Sequence, residues 1–222
     1  MTDTLQAIAG SLSSDVKTLS TISHNVANMH TPGYRGVRAV PEFGREVGMS
    51  TAIDQRDGAL AQTGNELDIA LRGPGFFVVE RNGKMLLSRA GTLRTDAEGR
   101  LVTAAGDLAV GYSGALQIPE GAVRFERDGQ VFVADRPIGQ LQIVAVADPS
   151  ALRSVGNGAY AYDGALAEWK GSVVQGAIEH ANVDAAEETV RLMETTRHAE
   201  SVQRAISIYD KAMETGINQI GN

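Results

Sequence analysis

The chain has 222 residues, 43% hydrophobic and 21% charged, enough for a buried core in one or two domains and too apolar for disorder throughout. Its 27 acidic against 20 basic residues give a formal net charge of −7 with no basic run, which argues against a nucleic-acid partner, because phosphate binding draws on clustered Lys and Arg. With no cysteine there is no disulfide, no thiolate nucleophile and no cysteine-based metal site. In chain order, the first signal is a heptad: Leu5, Leu12, Leu19 and Val26 recur every seventh residue, and Ile8, Ile22 and Met29 fill the complementary slot, with Asp15 out of place. This spacing predicts a long first helix with a narrow apolar seam. The first 30 residues lack the basic start and continuous apolar stretch of a secretory signal, and no segment is long enough to span a membrane. Any export is therefore expected to proceed without a cleaved Sec-type signal.

Pro32 pushes the residue before it out of α geometry and Gly33 supplies turn freedom, so the helix is expected to stop within HTPGYRG, with Thr31 a natural end. Residues 35–62 show no sustained period, contain Pro41 and four glycines, and read as an extended linker. From Leu67 onward, short apolar runs alternate with Gly, Asn and Asp. Phe76-Phe77-Val78-Val79, Asn82-Gly83 and Met85-Leu86-Leu87 predict a hairpin, since Asn and Gly both accept positive φ. A second hairpin is predicted at Val123 to Val133 around Asp128-Gly129, followed by a strand with Leu141, Ile143, Val144 and Val146. Residues 63–180 thus read as an all-β domain.

The last element starts at NVDAAEETV, where Asp184 is a candidate N-cap and Glu187 stands where a capping box places an acid. Leu192, Ala199, Ile206, Met213 and Ile220 repeat at heptad spacing with Val202 and Tyr209 between them, so residues 181–222 predict a second long seamed helix. The resulting expectation is an α+β chain. Long N- and C-terminal helices, at 1–34 and 181–222, carry seams that meet each other, pairing as a coiled-coil-like domain, or meet copies of themselves, with the β domain inserted between the helices.

Candidate chemistry is sparse. His24 and His30 are six apart and not on one helical face, and His180 and His198 lack ligand-spaced companions, so surface histidines are expected and no metal. Gly73-Pro74-Gly75 is followed by neither a Walker pattern nor a complete dinucleotide fingerprint and reads as a turn leading into a hairpin. No nucleophile elbow, HExxH pair or recognisable acid/base pair emerges, so no catalytic residue and no cofactor is expected. A building block, or a coiled-coil adaptor presenting a β domain, fits these residues better than an enzyme.

SHNVANMHTPGYR, from Ser23 to Arg35, resembles the N-terminal signature of bacterial flagellar rod, hook and hook-associated proteins. LDIALRGPGFFVV, SRAGTLRTDAEGRLVTAAG and GAIEHANVDAAEETVRLMETTRHAE resemble further blocks of this axial family, in the same order. The resemblance implies a structural subunit of the basal-body rod in which the terminal helices form an inner α domain lining the rod and the β domain lies outside. One modest β domain suits a rod subunit, and the short Arg35 to Glu66 interval favours the proximal over the distal type. The implied assembly surface is Leu5, Ile8, Leu12, Leu19, Ile22, Val26, Leu192, Ala199, Val202, Ile206, Tyr209, Met213 and Ile220. For the motif turn of Asn25, Asn28, Thr31, Pro32, Gly33 and Tyr34 the resemblance sets an intersubunit or hinge role beside the plain reading of a helix stop with polar caps. Implied partners are copies of the chain, other rod proteins and the flagellar type III export apparatus, with polymerisation in the periplasm.

Overall fold

A computed structural model describes residues 2–41 and 49–220, with the side chains of residues 6–40, 50–209, 211 and 212. The chain divides into two compact units, one of Met1–Ala27, Val37–Ala52 and Asp184–Asn222, the other of Asn28–Gly36 and Ile53–Val183.

The first unit holds helices α1 (Thr2–Asn28) and α2 (Ala185–Ile220) and the paired strands β1 (Val37–Pro41) and β2 (Met49–Ile53). α1 stops three residues before the expected Thr31. The Thr31 N–H bonds the Asn28 carbonyl at 2.9 Å and turns the chain. α2 starts as its sequence asks: Asp184 Oδ1 accepts from the N–H groups of Ala186 and Glu187 at 2.8 and 3.3 Å, while Glu187 itself pairs with Arg38 at 2.9 Å. Asp15 meets His198 and Asn25 meets Glu188, so moving from 15 to 25 along α1 moves back from 198 to 188 along α2: the helices run antiparallel.

The expected coiled-coil-like pairing of the apolar seams, with the β part as an insertion, is corrected by this structure. The described residues form two α-helices, one at each end of the chain, and a large β-rich body, and the bonds that tie the helices together are polar. Leu12, Val26 and Leu192 remain 37, 46 and 43% exposed. The physical reason lies in the break at Asp15. α1 buries a face carrying Gly10, Asp15, Thr21, Ile22 and Asn25, in which Ile22 is the large apolar side chain, so the Leu12–Val26 line is rotated away from it.

The second unit is built from short antiparallel strands. They are β3 (Leu60–Gln62), β4 (Ile69–Arg72), β5 (Phe76–Arg81), β6 (Lys84–Ser88), β7 (Leu93–Thr95), β8 (Leu101–Thr103), β9 (Leu108–Gly111) and β10 (Gly114–Ala115). There follow β11 (Val123–Phe125), β12 (Gln130–Val133), β13 (Arg136–Gln140), β14 (Ile143–Val146), β15 (Arg153–Ser154), β16 (Ala159–Ala161), β17 (Leu166–Glu168), β18 (Ser172–Gln175) and β19 (Ala177–Glu179). The segment read as a linker contains β1, β2 and β3. The largest sheet runs β15-β16-β6-β5-β9-β8-β7, with β10 on β9, β14 on β5 and β17 on β14. β11-β12-β13 form a second sheet, and β18 pairs with β4 and β19 with β3.

Both expected hairpins are present. β5 and β6 are joined by Asn82 and Gly83 at φ 51° and 74°, as a right-twisted two-residue turn requires, with Arg81 opposite Lys84. Val123 faces Val133 and Phe125 faces Val131 across the Asp128-Gly129 turn. Ile69, Leu71, Phe77, Val79, Leu101, Val131, Leu141 and Ile143 lie in the core of this unit, and Trp169 packs against it.

Candidate functional site

Beneath the motif turn of the β-rich unit lies a cluster of two arginines and two carboxylates, of which Arg35, Arg89 and Glu179 are buried and Asp57 is exposed. The turn is positioned by its own backbone: the Tyr34 N–H bonds the Thr31 carbonyl at 3.1 Å, and the Gly33 N–H bonds the Glu179 carbonyl on β19 at 2.7 Å. Gly33 sits at φ +69°, and a Cβ there would stand 2.4 Å from the Arg89 carbonyl carbon, so only glycine fits. Arg35 follows directly and is almost fully buried. Its backbone N–H donates to the Tyr160 hydroxyl at 3.0 Å, and its guanidinium donates to the carbonyls of Gln55 and Arg56 and to Asp57 Oδ1 at 3.0 Å. Arg35 Nε has no acceptor among the described residues.

Arg89, at the end of β6, is completely buried. It donates to Glu179 Oε2 at 2.5 Å, to the carbonyls of Leu71, Gly73 and Gly75 at 2.8, 2.8 and 2.6 Å, and to Asp57 Oδ1 at 3.1 Å. Glu179 Oε1 lies 3.1 Å from Arg35 and accepts the Gly58 N–H at 2.8 Å. Two guanidiniums and two carboxylates thus cancel in charge, and each carboxylate touches both arginines. Burial, and next the neighbouring Arg35 charge, push the Arg89 pKa down, with Glu179 and Asp57 opposing. Burial tends to raise Asp57, but the bonds from Arg35 and the Gly73 N–H together with the arginine charges outweigh it and hold this carboxyl below its ordinary value. Burial, only partly offset by Arg35, pushes the Tyr160 hydroxyl up. Asn182 completes the frame: its Oδ1 accepts the Gly36 N–H at 2.6 Å and its amide donates to the carbonyls of Asp54 and Arg56 at 3.0 and 2.7 Å.

A second polar network lies within the helical unit. Asn25 exchanges both its amide groups with the Val37 backbone, accepting at 2.8 Å and donating at 2.9 Å, and donates to Glu188 Oε1 at 3.0 Å. Arg38 reaches the same Glu188 oxygen at 3.0 Å. His198 Nδ1 is 2.9 Å from both oxygens of Asp15, so this histidine has a partner that spacing along the chain did not reveal.

The motif residues named from sequence therefore fall on either side of the unit boundary. Asn25 is buried in the helical unit, while Asn28, Thr31, Pro32, Gly33 and Tyr34 form the turn of the β-rich unit. Along the implied assembly surface Ile22 is buried, Ile8, Leu19, Ala199, Val202, Ile206 and Tyr209 are half-buried, and Leu12, Val26 and Leu192 are exposed. The side chains of Leu5, Met213 and Ile220 lie outside the described residues. Sequence reading missed Arg35, Asp57, Arg89 and Glu179 as a group. Part of the signal was present in the motif blocks: the first, third and fourth contribute Arg35, Arg89 and Glu179 and the second the Leu71, Gly73 and Gly75 carbonyls, whereas Asp57 falls in the segment read as a linker. Among the described residues no group of acids and histidines could hold a metal ion, and no helix is long and apolar enough to cross a membrane.

Comparison with known proteins places these blocks. Residues 70–133 match the family profile described as "Flagellar hook protein FlgE/F/G D1 domain", and residues 174–220 match "Flagellar basal body rod FlgEFG protein C-terminal". The chain is 28% identical over 240 residues to the flagellar basal-body rod protein FlgG of Buchnera aphidicola, covering 88% of this chain and 91% of that protein. It is 26% identical over 226 residues to the flagellar basal-body rod protein FlgF of Caulobacter vibrioides, covering 91% of each. With FlgF of Escherichia coli it shares 26% identity over 231 residues, covering 90% of this chain and 91% of that protein. With both profiles matched in order and both FlgF and FlgG aligned over almost their whole lengths, this chain belongs to the flagellar rod protein family.

Proposed function

We propose that this structural subunit of the flagellar basal-body rod is of the FlgF type and assembles through apolar lines left open on its terminal helices. The observation that carries the assembly reading is exposure. Leu12, Val16 and Val26 on α1 and Val190, Leu192, Met193 and Ile208 on α2 are large apolar side chains 37 to 69% exposed on helices that bury polar faces. Burying each against a neighbouring subunit contributes about 1.5–3 kcal/mol when complete. Neighbours are copies of the chain and other rod proteins.

For the FlgF type speaks the alignment length. The Caulobacter FlgF needs 226 positions to match 91% of this chain, whereas the Buchnera FlgG needs 240 to match 88%, so FlgF requires fewer insertions. FlgG is the second reading, favoured by its 28% identity against 26%. Passage through the flagellar export apparatus without a cleaved leader, and polymerisation in the periplasm, belong to the same proposal.

The deciding experiment replaces Leu12 or Ile206 by Asp in cells that make this chain in place of the native copy. Rod assembly and motility are lost while the purified variant keeps the thermal transition of its β-rich unit. Normal rods with either variant overturn the assignment of these faces. Deleting the gene stops construction at the rod, and mass spectrometry finds the chain with its N-terminal residues in basal bodies; complete rods in the deletion strain reject the reading.

A further inference from the structure

The β-rich unit carries a cationic groove that its own fold leaves unused. Arg72, at the end of β4, and Arg127, in the β11–β12 turn, line a groove of about 520 Å³ with Phe125, Glu126, Ser172 and Val173. Both arginines are exposed, and neither side chain makes a hydrogen bond or ion pair among the described residues. The one acidic residue lining the groove, Glu126, is taken by Arg124. The platform beneath is braced. Ser172 pairs with Arg72, the Val173 N–H bonds the Arg127 carbonyl at 2.9 Å, and Gln175 ties β18 to β11 through the Phe125 N–H at 3.1 Å and the Val123 carbonyl at 2.7 Å.

Two unpaired guanidiniums in one concave site focus positive potential, and their planar donor forks match carboxylates. The chain itself supplies carboxylates in excess, with a net charge of −7. In the β-rich unit the exposed carboxylates with neither hydrogen bond nor ion pair are Glu120 and Glu168. Neither lines the groove of its own chain. In a repeating array each copy offers the same groove to one neighbour and the same acids to another.

We propose that Arg72 and Arg127 bind carboxylates of Glu120 or Glu168 from a second copy of this chain, a heterologous contact between β-rich units. This rests on the rod-subunit reading above and names the contact within it.

The test is a charge swap. Arg72→Glu with Arg127→Glu, made in the native host, lowers the number of chain copies in purified basal bodies roughly tenfold, the effect of losing about one charge-assisted contact. The Trp169 fluorescence melt stays that of wild type; if the reversal unfolds the chain, Arg72→Gln with Arg127→Gln serves in its place. Adding Glu120→Arg and Glu168→Arg to the reversed chain restores incorporation. Wild-type incorporation of the reversed chain overturns the groove as a contact, and failure of the added swaps to restore it overturns a second copy as the partner. If wild-type chain is itself absent from basal bodies, the rod reading fails, and sedimentation velocity of the purified chain decides the groove separately. There the groove stands if salt-sensitive self-association disappears in the reversed variant and falls if the two sediment alike.

Discussion

Replacing Glu179 by Leu tests whether the charge cluster holds the motif turn. The substitution removes the carboxylate that contacts both Arg35 and Arg89 and leaves two buried guanidiniums facing Asp57, whose side chain is 42% exposed. Stranding one side of a buried ion pair costs about 3–5 kcal/mol. For a unit of this size that lowers the melting temperature by about 6–20 °C. Arg89→Met costs at least as much, because it also strands the carbonyls of Leu71, Gly73 and Gly75, at roughly 1–3 kcal/mol for each buried group left unsatisfied. The double variant loses less than the sum of the two, since each single change already breaks the shared contact. Trp169 is the sole tryptophan, and a Cβ added to Gly75 would stand 2.3 Å from its ring, so its fluorescence reports unfolding beside the Arg89 acceptors. A Glu179→Leu chain melting within about 1 kcal/mol of wild type, or an additive cycle, refutes the view that the cluster carries this energy.

The same cluster sets pH limits. Asp57 has a folded-state pKa below its ordinary 3.8, so its stabilisation is present above that value and is lost as pH falls through the lower folded value; Tyr160 has a raised pKa, so its contribution is present below 10.0 and is lost as pH rises through the raised value. Denaturant titrations across pH show a plateau between these limits, with Asp57→Asn flattening the acid limb and Tyr160→Phe the alkaline one. Asp184→Ala removes the N-cap of α2 at about 1 kcal/mol, and amide exchange at Ala186 and Glu187 accelerates roughly fivefold, while unchanged exchange disproves the cap. Limited proteolysis of dilute monomer removes much of residues 1–35 and 185–222 and spares a β-rich core, whereas full-length protection in a verified monomer contradicts separable units.

The hairpins and the start of α2 were legible because their information is local. Asn82-Gly83 declares a turn within two residues, and Asp184 declares a cap within three. The orientation of α1 was harder to read. Its heptad is real, but a periodic seam states where apolar side chains lie and not which face the chain covers. Asp15, which looked like a flaw in the repeat, lies on the buried face and meets His198 across 183 residues of sequence. The charge cluster was illegible for the same reason. Arg35 and Glu179 are meaningless as a pair until β19 is laid on β3, and Arg89 reads as an ordinary strand-end arginine until Gly73 and Gly75 turn their carbonyls toward it.

The four sequence blocks then take on a physical sense as suppliers of one another's missing partners. The first block gives Arg35 and the Gly33 amide, the second the Leu71, Gly73 and Gly75 carbonyls, the third Arg89, and the fourth Glu179 and Asn182. The first and fourth also meet in the helical unit through Asn25 and Glu188. A buried guanidinium is costly until every acceptor is in place, so the arrangement tolerates little partial formation. The contact that closes it joins the N-terminal turn to the penultimate stretch of the chain, and its loop-closure entropy is recovered only when β19 has paired with β3. A subunit built this way cannot seat its motif turn from the N-terminal portion alone. The turn and the strands around it become rigid together, which is the property a repeating structural element requires of the part that fixes its geometry.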